Sequence, residues 1–365
     1  MTQNRWDRLL ENVRSDTGAD TVMLVNRDRL DPNFFYLTGY TSGLFEGSYA
    51  VMHSDKSVDL LTSELEADIA RKWKHRVHVY RGYDDKSVGD QLKEILHGAK
   101  KIGVNYRGLS YSDYMYLSKI LPDSELVDVS SALSKTRMVK DDDEIELLKT
   151  AVKITSDTFR RIPDFLKEGM SEKELQADIE ATFVRLGADE AAYSSIVAFG
   201  ENSALPHHRS SERTLRKGDT VLLDVGAKYK LYCADMTRTF FFGSASDEQK
   251  DMYSVVLNAQ EAALKIIHDG QDSQSVHMAA QNVIDSSKYK GRFIHGLGHS
   301  IGVEVHDGPG MGRRRGGTLM EKMVVTVEPG VYLLGKGGVR IEDDVVVGKN
   351  GANILTDLTR DLLVI

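Results

Sequence analysis

The chain is poor in several residue types whose scarcity excludes whole classes of protein. It has one cysteine, Cys233, so neither an internal disulfide nor a cysteine-ligated zinc site can form. Six prolines, and the lack of any apolar run of about 18 residues, exclude proline-rich disorder and a membrane-spanning helix. The first residues also lack the apolar stretch of a secretory signal. These absences predict a cytoplasmic protein in which any metal would be bound by histidines and carboxylates.

An excess of basic charge is missing as well. The 47 lysines and arginines are outnumbered by 55 aspartates and glutamates, which gives a net charge of -8 at pH 7. Proteins that bind a phosphate backbone normally present a basic face, so nucleic acid is not an expected partner. The remaining composition, 41% hydrophobic and 28% charged over 365 residues, is that of a globular chain with room for two domains.

The hydrophobic pattern divides the chain in two. In the first part, short apolar runs alternate with helical stretches, which predicts a small α/β domain. The apolar runs are residues 21–25, 49–52 and 101–104, and the helical stretches are residues 64–74 and 110–120. After residue 126 the pattern loses its period. We therefore predict domains at residues 1–130 and 143–365, joined by a linker at residues 131–142.

The second domain begins with two helices followed by a hairpin. The first helix is predicted from residue 143 to residue 166, with Pro163 kinking or ending it. Ser171 and Glu174 form a capping box for the second helix, which Gly187 ends. Two strands at residues 221–225 and 237–242, separated by a turn at residues 227–231, complete this part.

The order of helices and strands then recurs. Ser246 and Gln249 cap a helix that runs to about His268, and another helix covers residues 275–286. Strands return at residues 323–327 and 339–347. The second domain is therefore predicted to contain an internal pseudo-repeat, and the fold class of the whole chain is α/β (α+β).

Two aspartates belong to the first hairpin. Asp224 has valines and leucines as neighbours, so its carboxylate is predicted to lie in a buried strand. Asp235 is predicted on the facing strand, and two carboxylates brought together without a cation repel each other and raise one pKa. A divalent metal would remove this repulsion. For either aspartate alone, a structural pair with Arg238 is the alternative.

Three further positions favour the metal. His299 lies in a glycine-rich stretch that also contains His295 and His306, and glycines let the backbone approach a bulky site closely. Glu328 follows an apolar run, and Glu342 stands within one, where a surface acid is not expected. The five candidate ligands are Asp224, Asp235, His299, Glu328 and Glu342.

These five residues have the charge of a dinuclear site. Their carboxylates and one neutral imidazole carry four negative charges, which two divalent cations would cancel. Oxygen-rich ligation with one nitrogen and no sulfur suits divalent Mn, Co, Zn or Fe. Two ions about 3.5–4 Å apart can acidify a shared water and polarise a carbonyl. The pattern therefore predicts metal-assisted hydrolysis, of an amide or of a phosphoester.

At these positions the sequence resembles the pita-bread metallopeptidases, and within them the proline-specific branch of Xaa-Pro dipeptidases (prolidases) and Xaa-Pro aminopeptidases. Residues 295–307 match the signature of that branch, and residues 35–40 resemble the creatinase-type N-terminal domain. Creatinase itself is disfavoured because it has the fold without the metal ligands. The resemblance implies a creatinase-like N-terminal α/β domain followed by a pseudo-symmetric pita-bread catalytic domain. The matching ligand segments are residues 223–226, 234–239, 327–330 and 340–343.

The resemblance also implies a role for each metal ligand. Asp235 and Glu342 would bridge or chelate two divalent ions, which would be Mn, Co or Zn. Asp224 would bind one ion, and His299 with Glu328 the other. Glu328 is also the candidate proton shuttle for a bridging hydroxide.

The resemblance also implies that three histidines of this chain occupy positions that face the substrate in the proline-specific branch. His207 is the aligned member of an adjacent pair, and His208 is its neighbour. His295 and His306 would contact the scissile peptide and stabilise the tetrahedral oxyanion, a role for donors aimed where charge develops.

Several other residues near the motifs each have a functional and a structural interpretation. Arg340 would orient Glu342 or bind a substrate carboxylate, with an ordinary ion pair as the alternative. Tyr332 would line the substrate pocket or serve as a core residue. Arg313 to Arg315 belong to a glycine-rich basic loop that would be solvated, or would recognise a substrate carboxylate. Cys233 is interpreted as a core residue.

The implied reaction is hydrolysis of the Xaa-Pro bond of dipeptides through a metal-bridging hydroxide. The alternatives are an Xaa-Pro aminopeptidase acting on longer peptides and, less favoured because no ligand is lost, a catalytically silent peptide-binding module. The expected partner is a small peptide with proline at its second position, without nucleic acid or membrane. A homodimer is also implied.

Overall fold

The computed structural model describes residues 2–27, 30–72, 75–82, 85–313 and 316–365. The chain forms two compact units, Met1–Arg137 and Met138–Ile365. The segment predicted as a linker is largely helical, because Ser130–Met138 forms a helix and the next helix begins at Asp142. Within the described residues, none of the helices has the length and apolar character needed to span a bilayer.

The first unit is built on a mixed six-stranded sheet. Its strands follow the order β4-β3-β2-β1-β5-β6, with β1 antiparallel to β2 and parallel to β5. The predicted helix at residues 64–74 is only one turn within the described part, which does not include residues 73 and 74. The strands are β1 (Thr21–Asn26), β2 (Ser48–Met52), β3 (Val58–Ser63), β4 (Arg76–Tyr80), β5 (Lys101–Val104) and β6 (Glu125–Asp128). The helices are α1 (Thr2–Thr17), α2 (Pro32–Thr38), α3 (Ala67–Ala70), α4 (Asp85–Ile95), α5 (Tyr111–Ile120) and α6 (Ser130–Met138).

The second unit alternates helices with short antiparallel strands. Its helices are α7 (Asp142–Phe159), α8 (Ile162–Phe165), α9 (Glu172–Arg185), α10 (Asp247–Leu264) and α11 (Ser273–Asp285), and a 3₁₀ turn covers Gly200–Ala204. Its first strands are β7 (Glu190–Ala191), β8 (Ile196–Phe199), β9 (Thr220–Val225), β10 (Ala227–Tyr229), β11 (Tyr232–Cys233) and β12 (Met236–Phe241). The later strands are β13 (Gly298–His299), β14 (Gly310–Met311), β15 (Val324–Val327), β16 (Gly330–Leu333), β17 (Gly337–Arg340), β18 (Asp343–Val347), β19 (Ala352–Ile354) and β20 (Leu363–Val364).

Two apolar cores organise this unit. In one core, α7 and α9 pack on β8, β9 and β12 through buried residues such as Val152, Ile179 and Leu223. In the other, α10 and α11 pack on β15, β17 and β18 through residues such as Val256 and Val345. Each half is a helix pair on antiparallel strands, which agrees with the predicted pseudo-repeat.

Most helix ends lie where the sequence predicts them. The capping boxes Ser171–Glu174 and Ser246–Gln249 are both formed, and Gly187 follows α9 with a φ of +99°. The helix predicted over residues 143–166 ends earlier, at Phe159. A separate one-turn helix, α8, follows. Pro163 lies within the first two residues of α8, where a proline fits without losing a helical hydrogen bond.

Two strand predictions need correction. The turn expected at residues 227–231 is a small hairpin of β10 and β11, with Lys230 and Leu231 at positive φ (45° and 79°). Two-residue hairpins need such angles but usually take them from asparagine or glycine, so Lys230 and Leu231 do not mark the two short strands around the predicted turn. The strand expected at residues 339–347 is interrupted at Ile341 and Glu342.

Candidate metal centre

The first two ligand candidates lie where β9 and β12 are connected. Asp224 pairs with Thr237 in the antiparallel register, and Asp235 is the residue before β12 begins. Asp235 therefore precedes the strand on which it was predicted. Gly226 allows this close approach, because a Cβ at that position would lie 1.8 Å from the carbonyl oxygen of Ala234.

The two glutamates occupy facing interruptions in a second strand pair. Val327 of β15 pairs with Asp343 of β18, and Gly330 of β16 pairs with Arg340 of β17. Glu328 and Glu342 lie in the gaps between these registers. The backbone N–H of Glu342 donates to the Thr237 carbonyl oxygen at 3.1 Å, so this interruption is joined to the first hairpin.

His299 reaches the site on the short strand β13. A Cβ on the preceding Gly298 would lie 2.0 Å from the carbonyl oxygen of Thr326, so only glycine allows β13 to lie this close to β15. The Thr326 hydroxyl accepts the His299 backbone N–H at 3.1 Å, and the Leu297 carbonyl accepts that of Glu328 at 2.7 Å. Gly298 therefore has the role predicted for the glycines, which is to let the backbone approach the site closely.

The candidate ligands converge. Donor atoms of Asp235, His299 and Glu342 all lie within 4.8 Å of one another. His299 Nε2 is 3.5 Å from Asp235 Oδ2 and 3.6 Å from Glu328 Oε1. Asp224 joins the group through Arg340 and through a tyrosine described below.

Burial and mutual repulsion make this cluster unfavourable without a cation. Burial, followed by the charges of neighbouring carboxylates, raises the pKa of Asp235, Glu328 and Glu342 well above the usual values. Burial lowers the pKa of His299 to about 4, so its imidazole is neutral, as a metal ligand must be. Carboxylate oxygens with one neutral nitrogen fit a divalent cation, and these residues therefore suit a metal centre.

A tyrosine that the sequence analysis missed lies between the two aspartates. The Tyr193 hydroxyl is 2.6 Å from Asp224 Oδ1 and 2.5 Å from Asp235 Oδ1. A hydroxyl has one hydrogen, so it can donate fully to only one of these two acceptors. Tyr193 stands 31 residues before Asp224, in no motif, and no sequence signal marks it.

Arg340 supplies the cluster with one positive charge. Its guanidinium is 2% exposed and pairs with Asp224, and it donates to the Tyr332 hydroxyl at 2.9 Å and to Thr237 Oγ1 at 3.1 Å. In this structure the arginine predicted to orient Glu342 thus contacts Asp224. All of these contacts are within the protein.

Arg238, the alternative partner of the aspartates, has a different role. It is buried and lies 2.7 Å from Asp343 Oδ1, and it donates to the Glu342 carbonyl oxygen at 2.6 Å. A structural pair between Arg238 and either Asp224 or Asp235 is therefore excluded. Arg238 therefore holds the backbone of the interruption through the Glu342 carbonyl.

Both ring nitrogens of His295 have protein partners. Nδ1 is 2.7 Å from the Gly296 carbonyl, and Nε2 is 2.8 Å from the Tyr332 hydroxyl. Burial, with a smaller effect of Arg340, lowers the pKa of His295 to about 4, so the ring is neutral. A neutral ring that donates from Nδ1 accepts at Nε2. In this arrangement His295 has no N–H left for an oxyanion.

The other two substrate-facing candidates are more accessible. His306 is exposed, and its ring centroid lies 4.0 Å from that of His299. His207 is also exposed. His208 instead contacts the buried carboxylate of Glu172 at 2.8 Å. The two adjacent histidines therefore differ in their surroundings, and the substrate-facing role of His207 stays a prediction.

Cys233 and the basic loop take no part in the cluster. Burial raises the pKa of the Cys233 thiol to about 12, which agrees with a core residue and excludes a reactive thiolate. Arg313 is exposed, and its carbonyl accepts from Gln274 at 2.8 Å. Arg314 and Arg315 lie outside the described residues.

A cleft of about 710 Å³ opens beside His295 and contains an unusual buried histidine. His277 of α11 is 1% exposed, stacks near Phe293 at 5.4 Å, and lines this cleft. Within the described part of the chain, neither of its ring nitrogens has a hydrogen-bond partner. Burial lowers the pKa of His277, so the folded protein keeps the ring neutral.

Replacing His277 with leucine is expected to stabilise the protein by about 1–3 kcal/mol, because unpaired buried polar atoms cost about that much. Because the pKa of His277 is lower in the folded protein than in the unfolded chain, the unfolded chain binds the proton more readily, and the ring destabilises the folded protein further as the pH falls below about 6.5. The gain in melting temperature should therefore be larger at pH 5 than at pH 7.5. The exposed His97→Asn serves as control, and an equal or negative gain at pH 5 would contradict the prediction.

Comparison with known families settles the relationship of the chain. The family model described as "Metallopeptidase family M24" matches residues 146–349. The chain belongs to metallopeptidase family M24. A second model, described as "Creatinase/Prolidase N-terminal domain", matches residues 5–139 of this M24 protein. The predicted fold, a creatinase-like domain before a pita-bread catalytic domain, is thereby confirmed, and so is the resemblance to the proline-specific branch.

Relatives of known name are similar over nearly the whole M24 chain. The Xaa-Pro dipeptidase of Pyrococcus furiosus is 33% identical over 332 residues, which cover 91% of this chain and 92% of the relative. The structure of the Xaa-Pro dipeptidase from Bacillus anthracis is 32% identical, with a TM-score of 0.92 and full coverage of both chains. The X-Pro aminopeptidase structure from Thermotoga maritima is 35% identical, with a TM-score of 0.91 and coverage of 99% and 100%.

Proposed function

We propose that this metallopeptidase is an Xaa-Pro dipeptidase that acts through two divalent ions, which are Mn, Co or Zn. The observation that carries the proposal is the convergence of Asp235, Glu328, Glu342 and the neutral imidazole of His299, with Asp224 linked to Asp235 through the Tyr193 hydroxyl. The relatives named Xaa-Pro dipeptidase support the choice of substrate.

The charge balance of the site supports two ions. Arg340 offsets one of the four carboxylate charges through its contact with Asp224, so three negative charges remain. Two divalent ions and one hydroxide would bring the total to zero. When bound, such ions lower the pKa of a shared water to supply that hydroxide and polarise the scissile carbonyl.

Each ligand has a place in this proposal. Asp235 and Glu342, which are both buried and lie within 4.8 Å of His299, would be shared between the two ions, as the resemblance implies. Asp224 would contribute to one ion, and His299 with Glu328 to the other. Thr237 orients Glu342, whose Oε2 accepts its hydroxyl at 2.5 Å.

Proton transfer and charge stabilisation fall to different residues. Glu328 lies in the site beside His299 and shuttles the proton from the attacking water to the leaving nitrogen. His306, whose ring lies 4.0 Å from that of His299, and the exposed His207 donate to the substrate and its oxyanion. His295 holds Tyr332, and Tyr332 holds Arg340, so this group fixes the wall of the pocket.

A dedicated enzyme for the Xaa-Pro bond has a chemical reason. The amide nitrogen of proline carries no hydrogen, so a site that recognises a peptide N–H handles this bond poorly. A site that polarises the carbonyl and protonates the leaving nitrogen needs no such donor.

The metal stoichiometry can be measured without activity. Metal-stripped protein is expected to bind two Mn ions per chain in isothermal titration calorimetry. Binding to the folded state alone should raise the free energy of unfolding by about 2.7 kcal/mol for each bound ion at a free concentration of 100 times Kd. Binding of one ion per chain, with no second event up to millimolar Mn, would contradict the dinuclear centre.

The substrate class is tested by turnover of Met-Pro, Met-Pro-Ala and Met-Ala-Ala with enzyme reloaded separately with Mn, Co or Zn. The proposal predicts cleavage of Met-Pro with little cleavage of either tripeptide. The 35% identical X-Pro aminopeptidase favours a second candidate, which predicts preferred cleavage of Met-Pro-Ala. Metal binding without turnover of any of the three would instead indicate a silent binding module.

A further inference from the structure

A buried carboxylate outside the metal centre organises the segment that carries His207. Glu172 is the first residue of α9 and is 0% exposed. It does not cap its own helix, since Ser171 and Glu174 form the capping box. Its side chain turns instead toward residues 199–211, the segment that links β8 to the region before β9.

Both oxygens of Glu172 accept hydrogen bonds from this segment. Oε1 accepts the Phe199 backbone N–H at 2.8 Å and the Asn202 amide at 2.9 Å. Oε2 lies 2.8 Å from His208 Nε2, and it accepts the backbone N–H and the hydroxyl of Ser211 at 2.8 and 2.6 Å. One carboxylate thus fixes four residues that bracket His207.

The contact with His208 decides where His207 lies. Consecutive side chains in an irregular segment project in different directions, so holding His208 inward leaves His207 exposed. His207 directly precedes His208 and follows the 3₁₀ turn Gly200–Ala204, so both ends of its short segment are held. The inward contact of His208 therefore sets the outward position of its neighbour.

The same segment is held from the other side by the strand that leads to Arg340. The Gly338 backbone N–H donates to Ser203 Oγ at 2.8 Å, and a Cβ at Gly338 would lie 2.4 Å from the Ser203 carbonyl oxygen. Ser203 belongs to the 3₁₀ turn, four residues before His207. Residues 199–211 are thus clamped between Glu172 and β17.

The site of Glu172 is built for a charged carboxylate. Burial raises its pKa, but hydrogen bonds from Phe199, Ser211 and His208 outweigh that effect and leave the pKa below its usual value. Charge-assisted hydrogen bonds to an ionised acceptor are stronger than neutral ones. A neutral glutamine would keep the shape, but its amide group would present hydrogens to donors that need an acceptor.

We propose that Glu172 is a positioning residue that holds the imidazole of His207 against the substrate through its contacts with residues 199–211. The inference rests on the proposed function, in which His207 donates to the substrate. It assigns a role in substrate binding to a residue that touches neither the metal ligands nor the peptide.

The test is a double-mutant cycle on kcat/KM for Met-Pro, with E172Q, H207A and the double variant. A displaced donor is expected to lower kcat/KM about 10- to 100-fold in E172Q, mainly through a higher KM. If Glu172 acts through His207, E172Q has no further effect in the H207A background. If it only supports the fold, the two losses multiply, and that result overturns the proposal.

A matched control and a second readout separate this inference from the proposed function. E174Q changes the exposed glutamate of the same turn, where glutamine also completes a capping box, and it should leave kcat/KM unchanged. NMR spectra of the histidine rings in metal-free protein should show the His207 signals shifted in E172Q but not in E174Q. Failure of the wild type to cleave Met-Pro would overturn the proposed function, while an unmoved His207 signal would overturn the role of Glu172.

Discussion

Asp235→Asn is expected to lower kcat/KM for Met-Pro by about a thousandfold or more while the chain still folds. Asparagine has the size of aspartate but carries no charge, so it cannot bridge two cations. Asp235 is 5% exposed, and its Oδ2 is 3.5 Å from His299 Nε2. The measurement is steady-state turnover, with bound Mn determined by elemental analysis of the same sample.

Stability of the metal-free variant distinguishes lost chemistry from a lost fold. Removing one charge from a cluster of mutually repelling carboxylates should make metal-free D235N melt at a higher temperature than metal-free wild type. Added Mn should then raise the melting temperature less in D235N than in wild type. Asp251→Asn, at an exposed ion pair with Lys288, is the control and should alter neither quantity. Turnover by D235N near the wild-type rate would overturn the assignment of Asp235 as a bridging ligand.

Arg340→Met is expected to destabilise the metal-free protein by about 3–5 kcal/mol, because breaking a buried ion pair leaves its partner charge uncompensated. Methionine keeps much of the volume but removes the contacts to Asp224, Tyr332 and Thr237. Activity should fall about a hundredfold as well, because a pocket wall displaced by about 1 Å loses that much. Urea unfolding with EDTA, together with kcat/KM for Met-Pro, measures both effects.

A surface arginine provides the comparison. Arg160→Met removes exposed pairs with Asp157 and Asp357, which are worth about 0–1 kcal/mol in total stability. Arg340→Lys keeps the charge but not the planar fork, so it should recover part of the stability and little of the activity. Equal destabilisation by the Arg160 and Arg340 variants would contradict the view that Arg340 is part of the site.

The sequence was informative where local chemistry alone determines structure. The capping boxes at Ser171 and Ser246 depend on residues three apart, and both are formed. The hairpin of β9 and β12 follows from two β-rich runs, and the register that pairs Asp224 with Thr237 agrees with it. The candidate ligands Asp224, Glu328 and Glu342 were proposed because an acid is improbable beside apolar runs, and His299 because of the glycines and histidines around it.

Features that depend on distant contacts could not be predicted. The interruption at Glu342 exists because β17 pairs with β16 while β18 pairs with β15, and no local residue marks that change of partner. Tyr193 meets the two aspartates only through the folding of β7 and β8. The oxyanion role expected of His295 came from alignment, whereas its hydrogen bond to Tyr332 depends on tertiary packing.

The candidate ligands come from both apolar cores of the second unit, two from one core and three from the other. Asp224 and Asp235 come from the strands of one core, and His299, Glu328 and Glu342 from those of the other. Ions shared by these residues would fasten the halves together as a removable cross-link. Amide hydrogen exchange in β9, β12, β15 and β18 should then be slower when the ions are restored than when they are stripped.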